Sequence, residues 1–163
     1  MSEQSWINDQ VDRAKWADPS AGAGEPDKAQ WKDATTGLDC LANRHPTSGH
    51  WCGYVGVAPG HKFYGKGYDD VRLDGTDDTY IDVHGGLTFA GECEPSDAPC
   101  RGVCHVPAPG EPDTLWWLGF DCAHSGDVSP GYDHGMQREW HSTYKSLAYV
   151  KSECAKLAAQ LAA

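Results

Sequence analysis

Two short segments of this chain combine histidine with aspartate where an apolar stretch runs into a glycine-containing turn. They are Asp82–Gly86 and Gly119–Asp127. Buried polar groups are costly unless they are paired, hydrogen-bonded or bound to a metal, and functional sites tend to lie where strands open into loops. These two segments are therefore the most informative candidate site in the sequence.

The imidazoles and carboxylates of these segments are the ligand types that catalytic divalent metals prefer. We expect His84, Asp121 and His124 to hold a metal, most readily zinc, which would activate a water. Asp127 or Asp82 would orient or deprotonate that water. The alternatives are an acid–base site and a hydrogen-bonded network that braces the turns.

A second candidate site is the cysteine-rich stretch Cys93-x6-Cys100-x3-Cys104-His105. These four residues could hold a structural zinc that pins the long, proline-rich loop over residues 91–113. The seven cysteines of the chain are an odd number, which argues against a closed disulfide framework. The alternatives are partly buried thiols, or a disulfide joining Cys93 to Cys100 or Cys100 to Cys104.

The loop Gly60–Tyr68 is rich in glycine, lysine and aromatic residues. Backbone N–H groups of glycine loops can cradle phosphates, to which lysine adds charge, and aromatic rings can stack on a base. We expect Tyr54, Lys62, Tyr64 and Lys66 to bind a small-molecule substrate. The alternative is an ordinary surface loop.

The composition excludes some broad classes of function. The formal net charge of −11 disfavours general nucleic-acid binding, which needs a basic surface. The sequence has no apolar run of the roughly 18 residues that a membrane span needs. It also starts without the basic and apolar regions of a secretion signal, so we expect the cytoplasm.

The hydrophobic pattern predicts an α+β fold, with a small, mainly antiparallel sheet of three to five strands. Apolar and aromatic runs indicate strands over Trp51–Val57, Thr79–His84 and Thr114–Cys122. Apolar residues at three- and four-residue steps from Trp140 to Leu161 indicate an amphipathic C-terminal helix packed on one face. The opposite face of the sheet is where we expect the histidine–aspartate site.

The first part of the chain differs in composition from the rest. Residues 1–35 are polar and contain three scattered tryptophans, which predicts an arm that docks on the domain through those rings. A short helix is expected between Trp6 and Trp16. The remaining residues, 36–163, are predicted to form a single domain.

Several segments resemble, in wording and order, a family of small uncharacterised accessory proteins of tailed phages and prophages. The resemblance is carried mainly by Asp82–Phe89 (DVHGGLTF) and Trp116–Asp127 (WWLGFDCAHSGD), and it spans roughly residues 50 to 161. It implies a phage accessory protein that acts in the cytoplasm of the bacterial host. It implies no particular activity and no catalytic residues.

These observations favour a phage-encoded, metal-dependent hydrolase of a nucleotide or other small phosphorylated molecule that counters host defence. A non-catalytic binder that sequesters a host nucleotide signal would need the same pocket without a metal. A third hypothesis is an acidic inhibitor of a host protein, because high negative charge suits mimicry of nucleic acid.

Overall fold

The computed structural model describes residues 3–73, 80–94, 96, 98–111, 114–132 and 141–163. Within these ranges the regular elements are β1 (Gln4–Trp6), β2 (Lys28–Lys32), β3 (Asp39–Arg44), β4 (Trp51–Val57), β5 (Phe89–Glu92), β6 (Trp116–Asp121) and the helix α1 (Leu147–Ala162), with 3-10 turns at Arg13–Lys15 and Tyr68–Asp70. The strands form one antiparallel sheet in the order β1-β2-β3-β4-β6-β5. The predicted α+β class is confirmed, although the described sheet has six strands rather than three to five.

The period-two pattern of β4 explains why the sheet has two apolar faces. Trp51, Val55 and Val57 belong to the core beneath α1. Tyr54 and Cys52 pack on the opposite face, in a smaller cluster. Successive side chains of a strand point to opposite faces, so a strand in which both sets are apolar must be covered on both sides.

The C-terminal helix packs on the sheet through the predicted apolar stripe. The hydroxyl of Ser146 caps the helix by accepting the N–H of Tyr149 at 3.2 Å, so α1 begins at Leu147 rather than near Trp140, which lies outside the described residues. The buried helix residues are Leu147, Val150, Cys154, Leu157, Ala158 and Leu161. Among the described residues, no helix is both long and apolar enough to cross a membrane.

The polar arm that we expected over residues 1–35 is not a separate unit. β1 pairs with β2 and β2 pairs with β3, so strands on both sides of residue 35 belong to one sheet. Trp16 is buried and Trp31 packs against the core, as expected of docking tryptophans. Between Trp6, which ends β1, and Trp16, a 3-10 turn at Arg13–Lys15 stands in place of the expected helix.

The sequence does not predict β2 as a strand, because three of its five residues are lysine or glutamine. Lys28 is only 1% exposed, and its ammonium donates to the carbonyl oxygens of Arg101 at 3.1 Å and Cys104 at 2.7 Å. Burial lowers the pKa of Lys28 to about 8. Lys28 therefore joins the sheet to the loop that covers the second face of the sheet. A lysine is usually exposed, so this buried role could not be predicted from the residue type.

The strand expected over Thr79–His84 begins outside the described residues, and its described part, residues 80–84, does not join the sheet. An isolated bridge between Arg72 and Tyr80 is followed by irregular backbone up to residue 84. The predicted alternation still holds for burial, since Ile81 and Val83 are buried while Tyr80 is 63% exposed. The pattern identified an extended, half-buried segment, and it gave no information about what that segment pairs with.

Side chains of α1 take the place of a neighbouring strand. Gln160 donates to the carbonyl oxygen of Asp82 and accepts its N–H, both at 2.7 Å. Glu153 accepts the N–H of His84 at 2.8 Å. Backbone polar groups must be satisfied somewhere, and here the helix surface satisfies them, which docks residues 81–84 along α1.

A buried ionic network joins the N-terminal region to the sheet. The side chain of Arg44 is fully buried; its guanidinium lies 3.1 Å from Asp27 and 3.2 Å from Glu25. It also lies between two rings, 5.2 Å from the centroid of Trp16 and 4.4 Å from that of Trp51. Removing one partner of a buried pair leaves an uncompensated charge, which is strongly destabilising.

Replacing the cation of this network tests its importance. We expect Arg44→Met to lower the free energy of unfolding by about 3–5 kcal/mol, measured by urea denaturation. Lys15→Met, at a side chain that is 83% exposed, is the control and should change it by less than about 0.5 kcal/mol. A loss below about 1 kcal/mol for Arg44→Met would contradict this role.

Candidate functional site

Three parts of the chain meet beside the first turns of α1: the turn near residue 84, the end of β6 and the helix itself. The imidazole of His84 lies at their centre. Its Nε2 lies 2.8 Å from Oδ2 of Asp127, and its Nδ1 lies 2.8 Å from the hydroxyl of Tyr149. A carboxylate, an imidazole and a phenol therefore form one continuous hydrogen-bonded chain.

Asp127 is the point at which the donors of this site converge. Its side chain is 1% exposed, and Lys145 Nζ lies 3.0 Å from Oδ1, while Oδ2 accepts the N–H of His124 at 3.0 Å. Burial raises the pKa of Asp127, but the bonds from His84 and the His124 N–H, with the Lys145 ammonium, lower it below its ordinary value. An ionised carboxylate only accepts hydrogen bonds, so Nε2 of His84 carries a proton.

A second imidazole–carboxylate pair lies next to the first. Nε2 of His124 is 3.2 Å from Oδ1 of Asp121, and Asp121 also accepts the Thr88 hydroxyl at 2.9 Å and the N–H of Ala123 at 3.0 Å. The ring centroids of His84 and His124 are 5.9 Å apart. Two histidines, each beside its own aspartate, thus lie next to each other.

The glycine that follows His84 leaves room for the second ring. Gly85 has a φ of +68°, and a Cβ built there would overlap the imidazole of His124. Gly86 has a similar φ of +78°, with nothing within 4 Å of a Cβ position. Both residues favour glycine because of their backbone conformation, but only Gly85 also sets how closely His124 approaches.

The structure brings together four of the five predicted histidine and aspartate residues, namely His84, Asp121, His124 and Asp127. The fifth, Asp82, lies outside the cluster: its carboxylate is exposed and 3.7 Å from Lys156. Its helix partner is seven residues beyond that of His84, which is about 10 Å along a helix. Asp82 is therefore not placed to act as the base that we expected.

The position of the cluster also differs from our expectation. We predicted it on the sheet face opposite α1, but His84 hydrogen-bonds to Tyr149 of that helix. The reason is that residues 81–84 dock on α1 instead of pairing in the sheet, which carries the imidazole to the start of the helix.

The loop expected to bind substrate lies at the other end of α1. Lys62 donates to the carbonyl oxygen of Ala163, Tyr64 donates to a carbonyl oxygen just before β6, and Lys66 is exposed. A helix rises about 1.5 Å per residue, so this end lies about 20 Å from the first turns of α1. The loop Gly60–Tyr68 anchors the helix end and does not line the histidine cluster.

Tyr54, the fourth expected substrate contact, is a core residue. It is buried, and its ring packs edge-on against Phe89 with centroids 5.3 Å apart. Burial raises the pKa of its hydroxyl well above the ordinary value. The aromatic character of β4 reflects packing on the second sheet face rather than stacking on a ligand.

The metal centre expected at His84, Asp121 and His124 stays a prediction, and in this structure His84 has other partners. Both ring nitrogens of His84 are engaged, by Asp127 and by Tyr149, and the Lys145 ammonium already lies beside the shared carboxylate. Among the described residues, no group of three or more His, Cys, Asp or Glu side chains is arranged to hold a metal ion. His84 and Asp127 are thus joined to each other, and also to Tyr149 and Lys145, by direct contacts between side chains.

The predicted zinc site in the cysteine-rich loop is replaced by a covalent bond. Cys93 and Cys104 form a disulfide, a pairing that differs from both disulfides we considered. Zinc binds thiolate sulfur, so these two residues offer no ligands in this form. Cys100 is a free cysteine and the ring of His105 packs edge-on against Trp117 at 5.3 Å. The disulfide, rather than a metal, pins the long loop.

Three residues of this neighbourhood were missed by sequence reasoning. They are Lys145, Tyr149 and Glu153. Tyr149 and Glu153 lie four residues apart in α1, which places them on one face of the helix, and this spacing was the available signal. Lys145 lies two residues before the helix begins. His50 also lies near the site, where the charges of Asp121 and Asp127 act on it. Burial lowers the pKa of His50 to about 4, so this third imidazole is neutral at neutral pH.

Comparison of the chain with known protein families, curated proteins and solved structures finds no match. The site combines the imidazole of His84, bonded to the Asp127 carboxylate, with the Tyr149 hydroxyl and a second imidazole, His124. Such a set of groups is suited to acid–base catalysis or to activation of a nucleophile.

The two glycines after His84 provide a matched test of the site's packing. Both Gly85→Ala and Gly86→Ala carry the cost of a left-handed alanine, about 1–3 kcal/mol. We expect Gly85→Ala to cost at least about 1 kcal/mol more, because its methyl group must displace the His124 ring. Urea denaturation and histidine NMR spectra measure this, and equal losses with an undisturbed His124 signal would contradict the packing.

The lowered pKa of Asp127 predicts a pH-dependent contribution to stability. A carboxyl group whose pKa is lowered on folding stabilises the protein above its ordinary value of 3.8, and that contribution is lost as the pH falls through the folded-state pKa. Asp127→Asn should therefore cost about 1–3 kcal/mol at neutral pH, and the gap to the natural chain should narrow as the pH falls below about 4 and close below the folded-state pKa.

The control for this measurement is Asp82→Asn, at an exposed carboxylate, which should leave stability nearly unchanged at every pH. Urea denaturation across pH 2 to 8 gives both curves. A gap between Asp127→Asn and the natural chain that stayed constant down to the lowest pH would show that the charge of Asp127 does not stabilise the fold.

Proposed function

We propose that this chain is a hydrolase of a nucleotide or other small phosphorylated molecule, and that it works by acid–base catalysis with two histidines. The observation that carries the proposal is the pair of imidazole–carboxylate units whose rings lie 5.9 Å apart. Displacement at phosphorus needs a proton removed from the attacking oxygen and a proton given to the leaving oxygen. Two adjacent imidazoles can divide these tasks.

His84 is the proton acceptor in this proposal. Its Nε2 proton is held by the ionised Asp127, so Nδ1 has the free lone pair that accepts a proton from a hydroxyl. Asp127 keeps the ring in one tautomer and stabilises the imidazolium that forms, as the carboxylate does in catalytic triads. The 16% exposure of the His84 side chain leaves the base accessible from one side.

His124 is the proton donor to the leaving group. Its ring is 34% exposed and lies beside the Asp121 carboxylate, with Nε2 3.2 Å from Oδ1. Lys145 is 17% exposed and contributes positive charge near the position where a phosphoryl oxygen would sit. This local cation matters in a chain whose net charge is −11.

We place this activity in a tailed phage or prophage, acting in the bacterial cytoplasm against host defence. The support is the similarity of the segments around His84 and Asp121 to small phage accessory proteins. Both segments of that similarity contribute to the histidine cluster, so the residues that carry the resemblance are also those that carry the proposed chemistry.

A panel of substrates with matched histidine variants tests the proposal. The protein, purified without chelator, should turn over at least one member of a panel containing cyclic dinucleotides, nucleoside phosphates and bis(p-nitrophenyl) phosphate. His84→Gln and His124→Gln should each lower turnover about 10²- to 10⁴-fold. His61→Gln, at the far end of α1, is the control and should keep full turnover.

Three other outcomes would change the proposal. Stoichiometric metal in the purified protein, with activity lost on chelation and restored by zinc, would favour the metal-dependent hydrolase that the sequence predicted. Tight binding of one panel member without turnover would instead favour a nucleotide-sequestering protein. Unchanged turnover in His84→Gln would remove that residue from the mechanism.

A further inference from the structure

We infer that the hydroxyl of Tyr149 is the nucleophile of this site and that hydrolysis passes through an ester between its oxygen and the transferred phosphoryl group. This inference rests on the proposed hydrolase function and deepens it. It assigns the nucleophile, which the two imidazole–carboxylate pairs alone leave to a water molecule.

The geometry around Tyr149 is that of an activated nucleophile. Its hydroxyl is 2.8 Å from Nδ1 of His84, and the other ring nitrogen of His84 is 2.8 Å from Asp127. Nucleophile, base and orienting carboxylate thus follow one another at hydrogen-bond distance, which is the arrangement that activates hydroxyl groups in covalent catalysis. The two rings meet at 89°, with centroids 5.3 Å apart.

The helix holds this hydroxyl in a fixed place. The N–H of Tyr149 is bonded to Ser146, and its carbonyl oxygen accepts the Ser152 hydroxyl at 2.6 Å. Sites built on helices are held more accurately than sites on loops. The side chain is only partly buried, so a substrate can approach the oxygen without unfolding the helix.

The charged groups near the Tyr149 ring favour a protonated hydroxyl, which needs a base before it can act as a nucleophile. Burial raises the pKa of Tyr149, and the Glu153 carboxylate adds to the effect, so the phenol stays protonated until His84 accepts its proton. Lys145 Nζ lies 5.9 Å from the ring centroid, where it can offset the negative charge that develops on the oxygen and the phosphoryl group.

The reaction balances in two steps. In the first, the Tyr149 oxygen bonds to phosphorus while the bond from phosphorus to the leaving oxygen breaks; the phenol proton passes to Nδ1 of His84, and His124 protonates the leaving group. In the second, water attacks phosphorus and gives its proton to His124, the tyrosyl ester bond breaks, and His84 returns its proton to the Tyr149 oxygen.

A substrate-independent probe tests the nucleophile directly. An aryl sulfonyl fluoride forms a bond from tyrosine oxygen to sulfur with loss of fluoride, and peptide mass spectrometry locates it. We expect Tyr149 to be labelled at least 10-fold faster than Tyr80, whose side chain is 63% exposed. His84→Gln, which can still hydrogen-bond but is not basic, should remove that advantage.

The chemical step is tested with bis(p-nitrophenyl) phosphate. Intact mass spectrometry of quenched reactions should show one aryl phosphoryl group on the natural chain and none on Tyr149→Phe. Turnover by Tyr149→Phe should fall by at least about 10²-fold, whereas Tyr80→Phe should match the natural chain. Circular dichroism and thermal unfolding of each variant check that the fold is retained.

The outcomes separate this inference from the hydrolase proposal. Full turnover by Tyr149→Phe, or labelling of Tyr149 no faster than Tyr80, overturns the nucleophile and leaves the two-histidine hydrolase standing. A loss of turnover without an adduct and without faster labelling makes Tyr149 a positioning residue, which also overturns the inference. Selective labelling with no turnover of any panel member supports the activated hydroxyl and counts against the hydrolase.

Discussion

The carboxylate of Glu25 fixes where α1 begins, and the geometry of the histidine cluster depends on that junction. One oxygen accepts the N–H of Leu147 at 2.5 Å, and the other accepts the Tyr144 hydroxyl at 2.6 Å and lies 3.2 Å from the buried Arg44. Burial raises the pKa of Glu25, but these partners lower it overall. The first turn of α1 is thereby tied to β3, which sets where Tyr149 meets the imidazole of His84.

The protein offsets the cost of its buried carboxylates with specific cations. Asp27 faces Arg44 and Arg13, and Asp127 faces Lys145 and His84. Desolvated charges are tolerated only with partners and hydrogen bonds of good geometry. The Arg44 network uses this rule for structure, because its guanidinium is fully enclosed. The Asp127 network keeps an imidazole partly exposed, and that opening distinguishes a candidate site from a structural ion pair.

The sequence predicted those elements whose residue pattern is set by local packing. β4 and β6 were predicted as strands because their alternate residues are apolar or aromatic. The buried stripe of α1 was predicted because its apolar residues recur at three- and four-residue steps. The structure also brings together His84, Asp121, His124 and Asp127, which the sequence places at the ends of extended apolar runs or in the turns that follow them.

Other features depended on partners that a single sequence does not display. Residues 81–84 read as a strand, but whether an extended segment pairs with a strand or with Gln160 and Glu153 is a tertiary choice. β2 was not predicted because most of its residues are polar, and the buried ammonium of Lys28 is satisfied by the carbonyl oxygens of Arg101 and Cys104, far along the chain. The partner of Cys93 could not be chosen from spacing, since the bond forms between residues that the intervening loop brings together.

The proposed chemistry requires that Asp127 hold His84 in the tautomer that can take a proton from Tyr149. Nitrogen-15 NMR of the histidine rings at neutral pH reports which ring nitrogen carries the proton. We expect His84 to be protonated at Nε2 and unprotonated at Nδ1, and Asp127→Asn to weaken this preference. A neutral His84 that carries its proton on Nδ1 would rule out this role for Asp127, because that ring could not accept the phenol proton.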